Sequence, residues 1–592
     1  MKIRYLNGKR LYYAFLAGGQ AVIRDKEYLN RINVFPVPDA DTGTNLAFTM
    51  RSIASEAKAG GSLRDTLRSL ADAALIGARG NSGLIFAQFV YGLSREASNE
   101  RRLTTHSFGE MMARAVRHAY NAILHPVEGT MLSVMRDWAD SVFHYRLKTA
   151  DFVELLGHSL QTARRSLRET PLKLSVLARA RVVDAGAKGF VDFVEGVMDF
   201  VRAGRLRSLP LPRAEDLKPQ PKVHSFRRGF SRRYCAEAVL SGPGLDLERL
   251  RRSLQAYGDS AIVAGSEEKA RFHVHTDRPA DLFFELLGMG PAQHIKVDDM
   301  RRQMETVRGR PRRLAIVTDS ACDLPPEVLD KHRVHLLPFT LSFGERQFLD
   351  RLTILPEQFY RLLRDWPEHP VTSLPSPSLV HSQLSFLADH YKSILVFSIS
   401  SGLSGTCDAL RQAAADFPAG KVRVIDTKTL SASQGLIVQR AAEAAARGLG
   451  AEEIGRLAEE WSRKTRILVD VQTLRYMVRG GRVSPLKGFL AKILNLKPII
   501  SLDENGKAVA WGKSIGRRAN MEKILKMAAG EAGRRGLWNY AVVHALNRPR
   551  AEVYAERLTR LLGRPPAFIQ DIAPVIGVHN GVGVVAVCLM FE

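Results

Sequence analysis

The first two hundred residues repeat one pattern: apolar positions three and four apart on otherwise polar segments, as in SLRDTLRSLADAALIGA and DFVELLGHSLQTARRSL, interrupted by short glycine-bearing breaks. That period predicts amphipathic helices and an all-α domain over residues 1–205. The opening stretch MKIRYLNGKRLYYAFLAGGQAV places basic residues before an apolar run, as a secretion signal does. The run is minimal, holds two tyrosines and passes straight into Gly-Gly-Gln, so it reads as a first helix. Over 206–233 the pattern gives way to Pro210, Pro212, Pro219 and Pro221 among many Arg and Lys, the composition of an extended, solvated linker.

From 234 to 303 the signal becomes strand, helix, two strands, helix (YCAEAVLSG, LDLERLRRSLQAYG, SAIVAG, RFHVHT, ADLFFELLGMG), which predicts a small α+β module. A second basic junction, RGRPRR, leads into the last region, 313–592, which begins LAIVTDSACDLPPEVL. There the apolar runs ILVFSI, VRVID and YAVVHAL alternate with helical segments and predict a mostly parallel sheet with helices on its faces. LDENGK supplies an Asn-Gly hairpin turn, so the sheet is mixed or accompanied by a small hairpin.

Composition narrows the class. With 592 residues, 45% hydrophobic and 25% charged, the chain is neither a stapled mini-protein nor a fibrous or disordered one. The net charge of +25 invites acidic partners: polyphosphates, nucleic acid, acyl carboxylates or an anionic membrane surface. The basic linker lacks the interleaved aromatics of a single-strand platform, which argues against nucleic acid. Cys235, Cys322, Cys407 and Cys588 are scattered without a CxxC pair, so neither a disulfide framework nor a four-thiolate zinc site is indicated and a reducing cytoplasm fits. No apolar stretch approaches the ~20 residues that span a bilayer, so membrane contact is expected only at the periphery.

The sharpest candidate chemistry is NVFPVPDADTGTN, residues 33–45. Asp39 and Asp41 lie two apart in a turn where both carboxylates can converge on Mg²⁺, with Thr42, Thr44 and Asn45 following at a helix start that can hold phosphate oxygens. A capped loop, whose acids only satisfy helix amides, is the competing reading. GARGNSGLIFAQ sets Gly77, Gly80 and Gly83 around Asn81 and Ser82, a spacing that suits either a phosphate or close helix packing. HPVEGTMLSV places Gly129 and Thr130 at another helix start, and a fourth segment, VVDAGAKGF, places Asp184, Gly186 and Gly189 at a further junction.

In this order the four segments resemble the ATP-binding domain of the dihydroxyacetone kinase family (DhaL-like), in the variant carried by the FakA component of bacterial fatty acid kinases. The resemblance covers residues 1–205 and implies an eight-helix barrel that binds ATP through Mg²⁺ held by Asp39 and Asp41, with Asn33 as a further contact. It implies that Thr44, Asn45, Gly80, Asn81 and Ser82 face phosphates, and that Gly129, Thr130, Met131, Asp184 and Gly186 form the nucleotide rim. Thr42 stands where the dihydroxyacetone kinases themselves carry histidine, which points to the fatty-acid branch.

In the middle module, RFHVHT puts His273 and His275 on one strand face, and Cys235 lies on an earlier strand able to pair beside it. One thiolate and two imidazoles can hold Zn²⁺, although two histidines on an alternating strand can equally be a half-buried face. YCAEAVL through HVHT also resembles the FakA middle domain, whose residues of these types bind zinc.

In the last region, TSLPSPS (372–378) and SISSGLSGT (398–406) concentrate hydroxyls beside helix-starting amides, a setting for a carboxylate or for ordinary N-capping. MVRGGRVS adds a Gly-Gly-Arg turn, and PVIGVHNGVG places His579 before a glycine turn. Together with IVTDSACDLP these resemble the DegV family, which includes fatty acid-binding proteins. The resemblance implies two α/β lobes enclosing an acyl chain, with Thr372, Ser373, Ser404 and Gly405 at its carboxylate, His579 near it, and Arg482 at the phosphoryl-transfer surface. Where relatives carry an Arg-Thr pair after a lysine, this chain reads KSIGRRAN, so Arg517 or Arg518 is the candidate substitute.

The expectation is thus a multi-domain ATP-dependent fatty acid kinase that uses ATP and Mg²⁺, with Zn²⁺ as a third candidate, and makes acyl phosphate. Its partners would be a fatty acid, acyl-phosphate acceptor enzymes at the membrane, and a second copy of the chain. The alternatives are a kinase of a small hydroxylated substrate such as dihydroxyacetone, and a non-catalytic lipid carrier or sensor.

Overall fold

Ten helices occupy the first part of the chain among the described residues: α1 (Gly8–Arg24), α2 (Lys26–Ile32), α3 (Thr42–Glu56), α4 (Leu63–Gly77), α5 (Gly80–Glu96), α6 (Thr105–Asn121), α7 (Met131–Tyr145), α8 (Phe152–Lys173), α9 (Ser175–Ala180) and α10 (Ala185–Ala203). Local chemistry starts several of them. Asn7 accepts from the Arg10 N–H, Ser62 from that of Asp65, Asp151 from that of Val153, and Thr104 and Ser107 form a reciprocal capping box. The count exceeds the expected eight because α2 and α9 are extra short helices of 7 and 6 residues. The first follows α1 directly across Asp25, and the second ends where Arg181 turns left-handed at φ 56°.

The computed structural model describes residues 2–35, 41–97, 101–123, 126–203, 231–307, 312–481 and 496–592. Along the core of the helical domain runs a series of edge-to-face aromatic pairs, Phe15–Phe193, Phe86–Phe193, Phe89–Phe190 and Trp138–Phe190, with centroids 4.9–5.9 Å apart. These join α1, α5, α7 and α10 and so fix the helices whose N-termini carry the candidate site.

The middle module contains β1 (Tyr234–Ser241), α11 (Leu247–Tyr257), β2 (Gly258–Gly265), β3 (Lys269–Thr276), α12 (Pro279–Glu285), β4 (Ala292–Asp299) and α13 (Met300–Val307). Its antiparallel sheet has the order β2-β3-β1-β4. β4 is an element that the sequence pattern does not announce, because its half-exposed residues give no clean alternation. This sheet is built onto the helices: Ile262 and Ala264 join the helical core, and the Gly265 N–H donates to Gln88 Oε1 at 2.7 Å. The two together form one unit, Met1–Met304; the second unit is Glu305–Glu592.

The second unit holds β5 (Arg312–Asp319), β6 (His335–Leu337), β7 (Thr340–Phe343), β8 (Arg346–Leu349), β9 (Val371–Ser373), β10 (Tyr391–Ser398), β11 (Val422–Asp426), β12 (Thr465–Asp470), β13 (Leu496–Leu502), β14 (Ala508–Ile515), β15 (Leu537–His544), β16 (Ile569–Asp571) and β17 (Val585–Phe591). These form a parallel sheet β11-β10-β5-β6, a small antiparallel sheet β8-β7-β9, and a six-stranded sheet β14-β13-β12-β17-β15-β16. The expectation that ILVFSI, VRVID and YAVVHAL share one mostly parallel sheet is therefore corrected. ILVFSI and VRVID are parallel neighbours, but YAVVHAL lies in the other large sheet, where only the β15–β16 pair is parallel. Antiparallel β17, between β12 and β15, makes the difference, and strand periodicity cannot reveal a neighbour so far along the chain. The Asn-Gly hairpin forms between β13 and β14, with Gly506 at φ +72°. No helix among the described residues is long and apolar enough to cross a membrane.

Candidate functional site

Three of the four glycine-bearing motifs meet around Gly186. A Cβ there would lie 3.0 Å from Ser82 Oγ, 3.2 Å from Met131 Cε and 3.3 Å from Asp184 Oδ1, so the missing side chain lets the N-terminal ends of α5, α7 and α10 converge. Asp184 ties two of them together. Its carboxylate accepts the N–H of Ala187 at 2.8 Å and also those of Met131 and Gly186, while burial dominates and pushes its pKa up to about 6. Asn81 Oδ1, one residue into α5, is enclosed without a hydrogen-bond partner among the described residues. Gly129 gives its N–H to Ser133 Oγ at 2.9 Å, and the Thr130 hydroxyl donates to the Val127 carbonyl at 2.7 Å.

The aspartate motif reaches this cluster through Asn45. Asp41 precedes the first residue of α3, Thr42, and its carbonyl accepts the Asn45 N–H at 2.8 Å. Asn45 is buried against Gly80: a Cβ on Gly80 would lie 2.4 Å from its Nδ2. Thr44 is engaged by Asn30, which accepts its N–H and donates to its hydroxyl, both at 3.0 Å. Asn33 is buried at the end of α2, whereas Asp39 and Arg482 lie outside the described residues.

Beside these helices stands the thiol–imidazole cluster. Strand register pairs Cys235 with His275 and residue 237 with His273, and one ligand atom from each of Cys235, His273 and His275 lies within 4.8 Å of the others. Glu237 organises the rest. Its Oε1 sits 3.0 Å from His273 Nδ1 and accepts the Gly80 N–H at 2.8 Å; its Oε2 accepts Arg271 Nη2 at 3.1 Å. Burial pushes this carboxyl up, but the hydrogen bond with His273 and the charges of Lys296 and Arg271 outweigh it and hold it well below the usual range. Burial, with His273 adding, lowers His275 to about 4, so a neutral imidazole is presented. With Nδ1 turned to Glu237 Oε1 at 3.0 Å and to Cys235 Sγ at 3.6 Å, His273 Nε2 is buried with no partner among the described residues, which leaves it free to take a metal. The donor set fits zinc.

In the second unit the short helix Pro574–Asn580, which carries His579, packs against β9, which carries Thr372 and Ser373. His579 also lies on Gly480, where a Cβ would come within 2.1 Å of its Nδ1. The Ser404 Oγ pairs with Thr406 Oγ1 at 2.7 Å, and Gly405 caps the helix Thr406–Ala414. This turn is steadied from the β13–β14 hairpin, because the Ser400 hydroxyl donates to the Gly506 carbonyl at 2.9 Å. Arg517 and Arg518 are exposed at the start of the helix Arg517–Arg535.

Comparison with known proteins gives three family matches in order. A DAK2 domain model matches residues 36–199, a model of the FakA-like middle domain of fatty acid kinases matches 231–307, and the DegV family model, described as an uncharacterised protein family, matches 313–592. The chain joins a DAK2 domain and a FakA-like middle domain to a DegV domain. Uncharacterised proteins of Staphylococcus epidermidis and Staphylococcus saprophyticus are 30% identical over 316 residues and 32% identical over 313 residues, covering 52% and 51% of this chain. The chain spans 57% and 56% of the length of those relatives. Among solved structures, a fatty acid-binding DegV family protein of Thermus thermophilus is 28% identical with TM-score 0.45, covering 47% of this chain and 100% of its own. A DegV fatty acid-binding protein of Bacillus subtilis is 26% identical with TM-score 0.44, covering 48% and 100%.

Two sets of residues escaped the sequence reading. In the middle domain, Glu237 sits two positions from Cys235, and nothing in YCAEAVL marks its contact with a glycine 157 residues away. In the DegV domain, Asp323 and Asp350 hold the His579 helix through the backbone N–H groups of Ala573 and Val575. The signal for Asp323 was the acidic motif TDSACDLP, whose buried carboxyls had no assigned task.

Proposed function

We propose that this chain is an ATP-dependent fatty acid kinase that transfers the γ-phosphate of ATP to the carboxylate of a fatty acid held by its DegV domain, giving acyl phosphate. The observation that carries the reading is the convergence of Ser82, Met131 and Asp184 on Gly186 in a DAK2 domain followed by a FakA-like middle domain. Asp39 and Asp41 would hold Mg²⁺, which when bound neutralises phosphate charge. The N-terminal turns of α5 and α7, with Asn81, Ser82 and Thr130, would orient the nucleotide by amide and hydroxyl donors. A carboxylate is already nucleophilic, so positioning and charge stabilisation carry the reaction and no strong general base is required. Thr372, Ser373, Ser404 and Gly405 would hold that carboxylate beside His579, with Arg482 at the transfer surface. Cys235, His273 and His275 would hold zinc, which when bound cross-links β1 to β3.

The test uses the purified full chain with ATP, Mg²⁺ and a long-chain acid, scoring ADP and the hydroxamate formed when hydroxylamine traps acyl phosphate. Both products should appear, and Asp39→Ala and Asp41→Ala should each lower turnover by about 100-fold or more. Phosphorylation of dihydroxyacetone instead would identify a small-molecule kinase, and acid binding without ADP formation a lipid carrier.

A further inference from the structure

We propose that Glu237 is a positioning residue that couples cation occupancy at Cys235, His273 and His275 to nucleotide binding at the α4–α5 turn. This rests on the zinc and nucleotide readings above and adds a link between them. Glu237 is 1% exposed and Arg271 3%, and together they grip both ends of one turn: Oε1 accepts the Gly80 N–H, while Arg271 Nη1 donates to the Ile76 carbonyl at 2.9 Å. Asn81 and Ser82 follow Gly80 directly. The same Oε1 faces His273 Nδ1 at 3.0 Å.

A cation on His273 Nε2 requires the ring proton on Nδ1, where it donates to Glu237. A cation that draws electron density from Nε2 polarises the Nδ1–H and strengthens its hydrogen bond to the carboxylate. The cation therefore tightens the contact that holds Glu237, and Glu237 holds the helix end that presents Asn81 and Ser82. A turn already ordered by zinc loses less freedom on binding nucleotide, which gives positive cooperativity, and linkage makes the effect equal in both directions.

The experiment measures Mg·ATP affinity of the full chain by calorimetry, stripped of metal and then loaded with Zn²⁺, and Zn²⁺ affinity by competition with a chromophoric chelator, with and without Mg·ATP. In the wild type, zinc should tighten Mg·ATP by about 5-fold or more and Mg·ATP should tighten zinc by the same factor; in Glu237→Gln both effects should shrink to within about 2-fold. Glu237→Asp should restore part of the coupling. Amide exchange of residues 76–82 in the wild type should slow on zinc loading, a readout that stands even where a variant does not fold. Equal coupling in Glu237→Gln, or unchanged exchange in the wild type, overturns the proposal. If both ligands bind the wild type without affecting each other, this inference alone falls; if Zn²⁺ or Mg·ATP fails to bind at all, the reading beneath it falls as well.

Discussion

Asp323 accepts the backbone N–H of Ala573 at 2.8 Å, so a carboxylate in the loop after β5 fixes the start of the helix that carries His579. Asp350 does the same for Val575 at 3.2 Å, and the Tyr360 hydroxyl donates to the Ile572 carbonyl at 3.2 Å. Burial pushes the Asp323 carboxyl up to about 6 and that of Asp350 up to about 7, against the pull of hydrogen bonds from Ser431 and Ser320. A carboxyl raised by folding takes up its proton in the folded chain at a pH where the unfolded chain stays ionised. The stability it contributes is present at acid pH and is lost as pH rises from the ordinary carboxylate value near 3.8 to about 7. Asp350→Asn mimics the protonated form and does not titrate. The stability of the wild type relative to this variant should thus fall by about 2–3 kcal/mol between about pH 5 and about pH 8. Urea unfolding followed by tryptophan fluorescence measures it, since Trp366, Trp461, Trp511 and Trp538 all lie in the second unit and only Trp138 in the first. A pH-independent difference would refute the argument.

Gly186 offers a test of the helix convergence that leaves the proposed metal ligands untouched. An alanine methyl there meets Ser82 Oγ at 3.0 Å and Met131 Cε at 3.2 Å, contacts that rotation of two flexible side chains can relieve. Gly186→Ala should therefore fold, at a cost of about 1–2 kcal/mol. It should weaken Mg·ATP by about 10-fold while fatty acid binding stays unchanged, as calorimetry with each ligand would show. Unaltered nucleotide affinity would place the nucleotide away from this convergence.

Helix starts were legible because their signals are local: Asp41 before α3, Thr130 before α7 and Asp184 before α10 all stand where the punctuation put them. Strand alternation likewise put His273 and His275 on one face of β3, and register brought Cys235 opposite His275. Long-range pairing was not legible. The separation of YAVVHAL from ILVFSI depends on the last strand of the chain, and the role of Glu237 depends on a backbone N–H in another domain. Neither leaves a periodicity, because both are decided by tertiary packing rather than by neighbours in sequence.

The zinc reading makes a stoichiometric prediction. All four cysteines are free thiols, but only Cys235 belongs to a cluster with two imidazoles among the described residues. A hydroxyl is a harder and much weaker zinc ligand than a thiolate, so Cys235→Ser should lose about 100-fold or more in zinc affinity, more than the 10–100-fold typical of losing a supporting hydrogen bond. Cys407→Ser, at a buried thiol in the other unit, should leave zinc content at one ion per chain. Metal analysis after gel filtration distinguishes the two, and equal zinc in both variants would remove Cys235 from the ligand set.

Gly506 probes, from outside it, the turn proposed to hold the carboxylate. At φ +72° it adopts a backbone conformation that side chains with a Cβ resist, and a Cβ would sit 1.9 Å from Ser400 Oγ and 3.0 Å from the Lys428 carbonyl. Gly506→Ala must therefore displace Ser400, whose hydroxyl bonds the Gly506 carbonyl and whose own carbonyl accepts the N–H groups of Leu403 and Ser404. The strain should destabilise the second unit by about 1–3 kcal/mol. Because Ser404 moves with Ser400, fatty acid affinity should fall by about 10-fold or more, while binding of the corresponding alcohol, which lacks the carboxylate, should change much less. Equal losses for acid and alcohol would mean that the turn shapes the apolar cavity instead of holding the anionic head.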